Sequence, residues 1–523
     1  MSLDAITTVG RYKPSKNKFD LSHEKKLTGK MGNIIPIMCQ EVMPGDSFRV
    51  KSELLLRLPP MVFPVMHRVD IKTSYFYVPN RIIWDEWEDF ITGGDQGTAN
   101  PAHPFIDIND ATKAYFSYGS LADYLGTHKF DGTTTVDSTS EVPFNALPFR
   151  AYQSIYNYYF RDQDLVTEIN FPKTSGSQNG NVGSHCPLRK VAFRKDYFTS
   201  ARPWTQKGDP AVVPITVGDT VTDTWLRNAD GTTSTISANI ITTGTNSPDW
   251  AQIGESGKNL VPDNLQYLIT DLRRASRLQE FLERDARGGN RLVESTLNHF
   301  GERIPDFRVS EPEYLGGGST PVSISEVIAT ANSEINAGAT EQVTGELLGH
   351  GISMATGNGF KKSFKEHGWI IGVMWVMPKP NYAQAVQATM LNRADRFDYP
   401  FPSFANIGEQ KIQYKELFWK PTSYSSSAAT FGYQQRYAEY KHQHDTVHGE
   451  FADPNSAFFN WHLGRHFGTG SAPQLNQAFI EDDGTEFNRI FNVTDPTEDH
   501  LWVQCYNKVD AIRPLPYNSI PTL

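Results

Sequence analysis

The sequence predicts an all-β protein: a single antiparallel sandwich whose loops carry long insertions of helix and irregular structure. Strand-like alternation of apolar and polar residues is concentrated near the two ends of the chain. Charged residues make up only 21% of the composition, and Gly, Pro, Ser, Thr, Asn and Tyr take their place, a mixture that favours turns and strands. Although 523 residues would ordinarily suggest several domains, large all-β folds break that rule, and we expect one.

The first strands are predicted on either side of residue 45. The stretch NIIPIMCQEVM at 33–43 enters a Pro44-Gly45-Asp46 turn, and FRVKSELLLRL at 48–58 leaves it with apolar residues on one face, which predicts a hairpin. In residues 69–78 one face is mainly apolar, and the other begins polar and ends apolar. We therefore expect only the far end of that second face to be covered.

A short helix is predicted after this strand, with Asn80 as its cap and Gly93-Gly94 as its end. Its acidic, tryptophan-rich segment 84–89 has two interpretations. The aromatic rings and carboxylates could form a sugar-binding or sugar-cleaving site, or the segment could be an amphipathic helix with a solvated acidic face. The second interpretation is favoured, because the sequence shows no second, separated carboxylate of the kind that glycoside hydrolysis needs.

Two further helices are predicted in the middle of the chain, one beginning at Arg150 and one across 263–289. The second has an apolar face and Gly288-Gly289 as its stop. Its arginines are expected to pair with Glu280, Glu283 and Asp285, and the less favoured alternative is a surface that faces the genome. Residues 208–262 change abruptly to Thr, Gly, Asn and short β-branched alternations, which predicts a surface insertion with small strands of its own. Residues 315–342 are predicted to be a second flexible stretch.

The last strands are predicted at WIIGVMWVM, residues 369–377, and at residues 501–512. The first is apolar on both faces, as in a strand between two layers, and the second alternates, so we expect it to pair with early strands. The connecting loops are rich in Pro, Gly and aromatic residues. Such loops bury too little by themselves to offset an ordering cost of about 1–2 kcal/mol per residue, which suggests that neighbouring copies cover them.

The charge is unevenly distributed: the chain carries −10 overall, but residues 11–30 carry about +5. Seven cations lie there against two carboxylates, and we expect this segment to be an arm that contacts a polyanion or a solvated, mobile terminus. The cations are Arg11, Lys13, Lys16, Lys18, Lys25, Lys26 and Lys30.

Three widely spaced cysteines predict no disulfide framework and a reducing compartment. The first thirty residues lack the apolar run of a signal peptide, and the longest apolar stretch is too short to span a bilayer. The sequence thus predicts a soluble protein made in the cytoplasm.

Signatures of catalysis and of cofactor binding are scarce. The HEKKL segment at His23 resembles a zinc protease motif but has Leu27 where the second histidine belongs. His442, His444 and His448 lie close together, with His462 and His466 nearby, a pattern compatible with zinc or copper but more typical of histidines packed among aromatic residues. We expect no catalytic residue, no metal site and no cofactor.

Five stretches in order together resemble the major capsid proteins of microviruses, small icosahedral phages with circular single-stranded DNA, and in particular the gokushovirus branch. Each stretch alone is weak, but they run from residue 75 to beyond 430. They are YFYVPNRIIWDEWEDFITGG from Tyr75, YNYYFRDQDL from Tyr156, DYFTSARPWTQKG from Asp196, FGERIPDFRVSEPEYLGGG from Phe300 and RYAEYKHQHDTVHGEF from Arg436.

The resemblance implies a single eight-stranded antiparallel jelly roll of the viral capsid type over residues 31–523, preceded by an inward-facing basic arm at 1–30. It implies a structural function: sixty copies form a T=1 shell, a virion assembled in the bacterial cytoplasm. Residues 208–262 look like the counterpart of a threefold protrusion that recognises the host. Trp84, Trp87 and Phe90 are then expected to be interface anchors.

The partners that the resemblance implies are other copies of the chain, packaged single-stranded DNA that the seven cations face, a small basic DNA-binding protein, an internal scaffolding protein and a host receptor of unknown identity. The alternative functions are a jelly-roll protein that binds carbohydrate and one that cleaves glycans. Particle formation separates them, because only the capsid function predicts particles a few hundred ångströms across.

Overall fold

The computed structural model describes residues 15–518 except 97, 128, 130, 132–133, 137–141, 210–215, 218–224, 228–232, 236–264, 267–268, 289–310, 329–346, 419–428, 469–471, 482–485, 494 and 496. Of residues 216–217, 225–227, 233–235, 265–266, 269 and 285–288 it describes the backbone alone. The chain divides into two compact units, residues 1–205 with 303–523, and residues 206–302.

Strands dominate the larger unit. The strands of both units, in chain order, are β1 Asn17–Asp20, β2 His23–Gly29, β3 Ile35–Val42, β4 Ser47–Arg57, β5 Val69–Pro79, β6 Phe105–Asp107, β7 Pro143–Asn145, β8 Thr216–Val217, β9 Trp225–Arg227, β10 Thr233–Thr235, β11 Leu265–Gln266, β12 Glu313–Pro321, β13 Ser323–Ile328, β14 Leu347–Ser363, β15 Gly368–Pro378, β16 Glu409–Gln413, β17 Thr430–Gln435 and β18 Leu501–Arg513.

Helices are short in the larger unit. The helices are α1 Trp87–Thr92, α2 Leu121–Leu125, α3 Leu147–Ile155 continued by a π-helical turn at Tyr156–Phe160, α4 Val182–His185, α5 Ile269–Gly288 in the smaller unit, and single turns at Tyr414–Leu417 and Gln477–Ile480. Short 3₁₀ segments lie at Asn80–Ile82, Lys113–Phe116, Asn179–Asn181, Ala388–Met390, Arg396–Asp398, Pro402–Phe404, Ala438–Tyr440, Gly449–Ala452, Ala457–Trp461 and Glu486–Ile490.

Two antiparallel sheets form the centre of the larger unit. The six-stranded sheet has the order β1–β18–β4–β14–β13, with β2 also paired to β18, and the four-stranded sheet has the order β12–β5–β15–β3. The expectation that the last strand pairs with early ones is confirmed, since β18 pairs with β1, β2 and β4. The observed all-β sandwich of antiparallel sheets agrees with the predicted fold class.

The predicted hairpin about residue 45 is wrong. β3 pairs with β15 in the four-stranded sheet, whereas β4 pairs with β14 and β18 in the six-stranded sheet. Gly45 does adopt a left-handed φ of 91°, so the turn exists. It carries the chain from one sheet to the other, because the apolar faces of both strands are buried in the shared core.

The core between the sheets combines alternating apolar side chains with one chain of buried polar groups. Along β4, Phe48, Val50, Leu54 and Leu56 are buried and their neighbours are exposed or partly exposed. At the middle of the five inward-facing positions, Ser52 donates to Asn507 of β18 over 2.6 Å and accepts from the Tyr75 hydroxyl of β5 over 2.5 Å.

The same chain of hydrogen bonds reaches a fourth strand. The Asn507 Nδ2 donates to the carbonyl of Ile37 in β3 over 3.0 Å. Ser52, Tyr75 and Asn507 are all fully buried, or nearly so. Buried polar groups are costly unless they are paired, so this network fixes how the two sheets face one another.

The apolar strand predicted at 369–377 is confirmed as β15, a central strand of the four-stranded sheet. Nearly all its residues are buried, because one face meets the core between the sheets and α3 packs against the same strand. The helix predicted from Arg150 is confirmed as α3 with its π-helical continuation.

The flexible stretch predicted at 315–342 is wrong in its first half. Residues 313–321 and 323–328 are β12 and β13, and residues 329–346 lie outside the described residues. The glycines there serve close packing: a Cβ on Gly317 would lie 2.2 Å from the carbonyl oxygen of Thr73 in β5. The glycine run thus lets β12 approach β5 closely. From composition alone, such a run cannot be distinguished from a flexible linker.

The expectation that the long loops lack burial of their own is wrong for part of the larger unit. A second hydrophobic cluster, separate from the core between the sheets, joins loop segments between residues 165 and 480. Its largest fully buried side chains are those of Phe198, Tyr382 and Phe418. These loops therefore form a small core without help from another copy.

The smaller unit covers residues 206–302, wider than the predicted insertion at 208–262. The predicted small strands occur as two antiparallel pairs, β8 with β11 and β9 with β10. The predicted long helix is α5, which ends at Gly288 as expected, while its predicted cap at 263–264 lies outside the described residues.

Two of the expected ion pairs on α5 are present, from Arg277 and Arg284 to Glu280 at 2.6 and 3.2 Å. The expected partner Asp285 is described by its backbone alone. Within the described parts of the chain, no helix has both the length and the apolar composition that crossing a bilayer requires.

Candidate functional site

The basic segment 11–30 belongs largely to the sheet, and the boundary predicted at residue 30 is wrong. β1 pairs with residues 510–513 of β18, and β2 pairs with residues 501–507. Leu27 and Gly29 are buried, because this segment supplies one edge of the six-stranded sheet. Arg11 and Lys13 lie outside the described residues.

The five described lysines of this segment have different environments. Lys16 donates to the Gly45 carbonyl over 2.5 Å, and Lys18 pairs with Asp510 over 2.7 Å. Lys26 has a side chain 78% exposed and a weak pair with Glu24 at 3.5 Å. Lys30 is partly buried.

The prediction that Lys25 faces nucleic acid is wrong. Its ammonium donates to the carbonyls of Pro36 and Tyr124, and burial lowers its pKa to about 8. It ties β2 to β3 and α2 and has few donors left for a phosphate. Lys25 and Lys26 are adjacent on a strand and therefore point to opposite faces.

The prediction that Trp84 is an interface anchor is also wrong, because its ring packs in the chain's own core. Its side chain is fully buried, its Nε1 donates to Ser175 Oγ over 2.8 Å, and its ring lies 4.8 Å from that of Phe90. A fully buried ring has no surface to offer a neighbouring copy. Trp87 and Phe90 are half-buried, and their role as interface anchors stays a prediction.

The acidic residues around these tryptophans lie on the solvent side, as the amphipathic interpretation predicts. Asp85, Glu88 and Asp89 are exposed, and Glu86 accepts a hydrogen bond from Ser175. The helix itself starts only at Trp87, and Asn80 begins a 3₁₀ turn instead of capping it. Gly93 ends α1 with a φ of 79°, as expected.

The clustered histidines are packed among rings and backbone groups. His444 is buried, with its ring 5.0 Å from that of Phe198, and burial lowers its pKa. His462 contacts the Phe451 carbonyl over 2.7 Å and accepts from the backbone N–H of Gly464 over 2.9 Å. Among the described residues no group of three His, Cys, Asp or Glu side chains is arranged to hold a metal ion.

A loop at 390–407, here called the aromatic loop, exposes large side chains that sequence reasoning did not single out. Phe397, Tyr399 and Phe401 are 42%, 57% and 40% exposed. The rings of Phe397 and Phe404 lie 5.7 Å apart. Proline, serine and aspartate in this stretch indicated only a loop, so composition gave no sign of an ordered aromatic surface.

The aromatic loop is held in place by polar contacts. Asp395 and Asp398 form a reciprocal capping box around a 3₁₀ turn, with the Asp398 carboxylate accepting from the Asp395 backbone N–H over 3.0 Å. The Arg393 guanidinium lies 4.1 Å from the centre of the Tyr399 ring and donates to the Tyr440 hydroxyl over 2.6 Å. Exposed rings that are already ordered lose little entropy on binding, which suits an interface.

The chain matches the family described as capsid protein (F protein) over residues 8–523. It belongs to this phage capsid protein family. Three relatives named capsid protein VP1 are similar over nearly their whole length. That of Chlamydia phage 1 is 31% identical over 97% of this chain and 96% of its own, and that of Bdellovibrio phage phiMH2K is 32% identical over 97% and 95%. That of Spiroplasma virus 4 is 30% identical over 97% and 95%.

The family assignment confirms the resemblance seen in the five sequence stretches and gives the chain its function. It is a structural capsid protein of a microvirus-type bacteriophage, located in the virion, and capsid proteins assemble with copies of themselves. The two antiparallel sheets are consistent with a viral capsid β-sandwich.

Proposed function

We propose that this capsid protein assembles into a T=1 shell of sixty copies that encloses circular single-stranded DNA. The near full-length similarity to capsid proteins of other phages is the observation that carries the proposal. A closed shell of identical subunits needs large interfaces, on the order of 2,000 Å² or more for each subunit. Ordered, half-exposed aromatic residues are typical of such interfaces.

The aromatic loop supports contacts between copies in this proposal. Its three exposed rings lie within a short segment, and Met390 and Ile407 at its ends are 76% and 66% exposed. A neighbouring copy would remove this apolar surface from water. The half-buried Trp87 and Phe90 would lie at a second contact, as predicted from the sequence.

The strand orders support an eight-stranded jelly roll. Omitting the short edge strands β1 and β13, the sheets read β2–β18–β4–β14 and β12–β5–β15–β3. Successive strands alternate between the sheets at β2 to β3, β4 to β5 and β14 to β15. This is the arrangement in which two four-stranded sheets enclose one core, with insertions in the loops that connect them.

The unit at 206–302 is proposed to be the threefold protrusion and to bind the host receptor. Its division from the other residues as a compact unit of its own supports this role, because such an insertion can change its target without changing the shell. In this proposal the virion is assembled in the bacterial cytoplasm, with an internal scaffolding protein and a small basic DNA-binding protein as partners. Of the lysines at 11–30, the exposed Lys26 is available for contact with the DNA in this proposal.

Two measurements test the proposal. Purified protein, with its scaffolding partner where needed, should give particles a few hundred ångströms across by negative-stain microscopy and light scattering. Replacing residues 206–302 by a short Gly-Ser linker should leave particles intact but abolish adsorption to the host. Persistent monomers in the first experiment contradict shell formation, and adsorption by the deletion variant contradicts the receptor role.

A further inference from the structure

A groove with a volume of about 1300 Å³ lies at one end of the exposed face of the six-stranded sheet. Residues of β2, β4 and β18 line it, together with residues 118–119, 123–124, 126–127 and 129. Five of its lining residues are cationic and two are acidic, a local balance of +3 in a chain that carries −10. The groove therefore favours an anionic ligand.

Two aromatic rings in this groove are exposed. Tyr118 is 69% exposed and Trp502 is 47% exposed. Both belong to the groove lining. Exposed aromatic faces beside cations are the means by which proteins bind single-stranded nucleic acids, since unpaired bases stack on the rings while phosphates meet the cations.

The strand register places the cations around the Trp502 ring. Trp502 lies opposite Arg57 of β4 and opposite Thr28 of β2, so their side chains share one face and lie about 5 Å apart at the Cβ atoms. Lys26 is one step further, opposite Gln504. The arrangement puts a cation on either side of one indole.

These cations are available to a ligand. Arg57 is exposed and has no carboxylate within 4 Å among the described residues. Lys26 pairs with Glu24 at 3.5 Å, and because both side chains are exposed this pair contributes at most about 1 kcal/mol, so a phosphate can compete with it. Lys129 pairs with Asp123 at 3.4 Å; the lysine side chain is exposed and the carboxylate is largely buried.

We propose that this groove binds a segment of single-stranded DNA, with bases stacked on Trp502 and Tyr118 and phosphates against Arg57, Lys26 and Lys129. The inference rests on the proposed packaging function and names the contact surface for the genome. It also orients the subunit, because the exposed face of the six-stranded sheet must then face the particle interior. The contact surface differs from the predicted arm: Lys26 belongs to both, whereas Arg57, Lys129 and the two aromatic residues are new.

Binding by the purified full chain is measured by fluorescence anisotropy with a labelled thymidine oligonucleotide of ~15 nucleotides. Trp502→Ala and Tyr118→Ala should each weaken binding about fivefold or more, whereas Trp502→Phe, which keeps a stacking face, should stay within about threefold. Arg57→Gln should reduce the slope of log affinity against log salt by about 0.7. Lys441→Gln, an exposed lysine far along the chain, is the matched charge control and should leave affinity within about twofold of wild type.

A duplex of the same length should bind more weakly than the single strand, because its bases are not free to stack. Equal binding of duplex and single strand, wild-type affinity in Trp502→Ala and Tyr118→Ala together with a wild-type salt slope in Arg57→Gln, or an equal loss in Lys441→Gln would overturn the proposal. Thermal unfolding of each variant identifies any that fail to fold, and the conservative Trp502→Phe and Arg57→Gln changes keep the test valid in that case.

Irradiation of DNA-containing particles with ultraviolet light gives a second test. After nuclease digestion, mass spectrometry should find nucleotide adducts on peptides that contain Trp502 or Tyr118. Adducts confined to other peptides, or cross-links from this groove to another protein, would overturn the groove assignment while leaving shell formation untouched. Absence of any particle would instead contradict the proposed function itself.

Discussion

Truncating one ring of the aromatic loop, by Phe397→Ala, should weaken assembly without unfolding the subunit. A buried aromatic side chain removes about 200 Å² from water, and 42% of Phe397 is exposed, so a neighbouring copy could cover about 80 Å² of it. At about 25 cal/mol per Å² this amounts to ~2 kcal/mol for each subunit. The subunit concentration at which particles first form should therefore rise about 30-fold.

The double variant Phe397→Ala/Tyr399→Ala extends this reasoning. Tyr399 is 57% exposed and adds ~3 kcal/mol, so the two changes together should suppress particle formation at ordinary protein concentrations. The assay is light scattering of purified subunits over a range of concentrations, with particle size checked by microscopy. Phe397→Leu keeps most of the apolar surface and serves as the matched control, with an expected shift below about threefold.

Assembly of Phe397→Ala at the wild-type concentration, into particles of the same size, would contradict a role for this ring in contacts between copies. Loss of assembly counts only if the variant subunit unfolds at a urea concentration close to that of wild type. The rings of Phe401 and Phe404 lie 6.4 and 5.7 Å from that of Phe397, so a small loss of subunit stability is expected.

Three further predictions concern the subunit itself and are measured by urea unfolding. Trp84→Ala should destabilise the fold by about 3–5 kcal/mol and Trp84→Phe by less, because the ring is fully buried; a loss below about 1 kcal/mol in the first variant would show that the side chain is not part of the core. Asn507→Leu should cost about 1–3 kcal/mol or more, since Ser52 and the Ile37 carbonyl lose a buried partner, and a neutral outcome would contradict the network. Burial lowers the Lys25 pKa to about 8, so between pH 8 and about 10.4 the unfolded chain binds more protons than the folded chain, and the free energy of unfolding should rise with pH across that window. This rise should be absent from Lys25→Met. An equal rise in wild type and in Lys25→Met would assign it to other groups.

The alternation of apolar residues gave the strands of this fold where one face is buried and the other exposed. β4 and β18 were predicted from this pattern, and so was their location in one part of the structure, because β4 has four and β18 has five inward-facing apolar positions. β15 was predicted from its uninterrupted apolar run, since both faces are covered. These signals are local to a strand and therefore can be read from the chain.

Pairing between strands is not a local property, and the predicted pairing of β3 with β4 was wrong. A Pro-Gly-Asp turn between two strands is compatible with a hairpin and with a corner that crosses between sheets; the common core beneath β3 and β4 selects the corner. The glycines of β12 looked flexible because the backbone of β5 that they approach lies far away in sequence.

The sequence showed which residue types the candidate sites contain, but not which way their side chains point. The excess of lysine at 11–30 was plain, yet strand geometry turns Lys25 inward and Lys26 outward, and the predicted arm was assigned no strands. Arg57 and Trp502 become neighbours only through the β4–β18 register. Trp84 shows the same limit, because a tryptophan beside carboxylates is equally compatible with a surface anchor and with a buried one at the end of a strand.

The most direct test of the account is an electron cryomicroscopy reconstruction of particles assembled from this chain. We predict sixty symmetry-related copies, with the aromatic loop buried against a neighbour and the exposed face of β2, β4 and β18 toward the DNA. A reconstruction in which Phe397 and Tyr399 remain in solvent, and in which that sheet face lies on the outside of the particle, would contradict it.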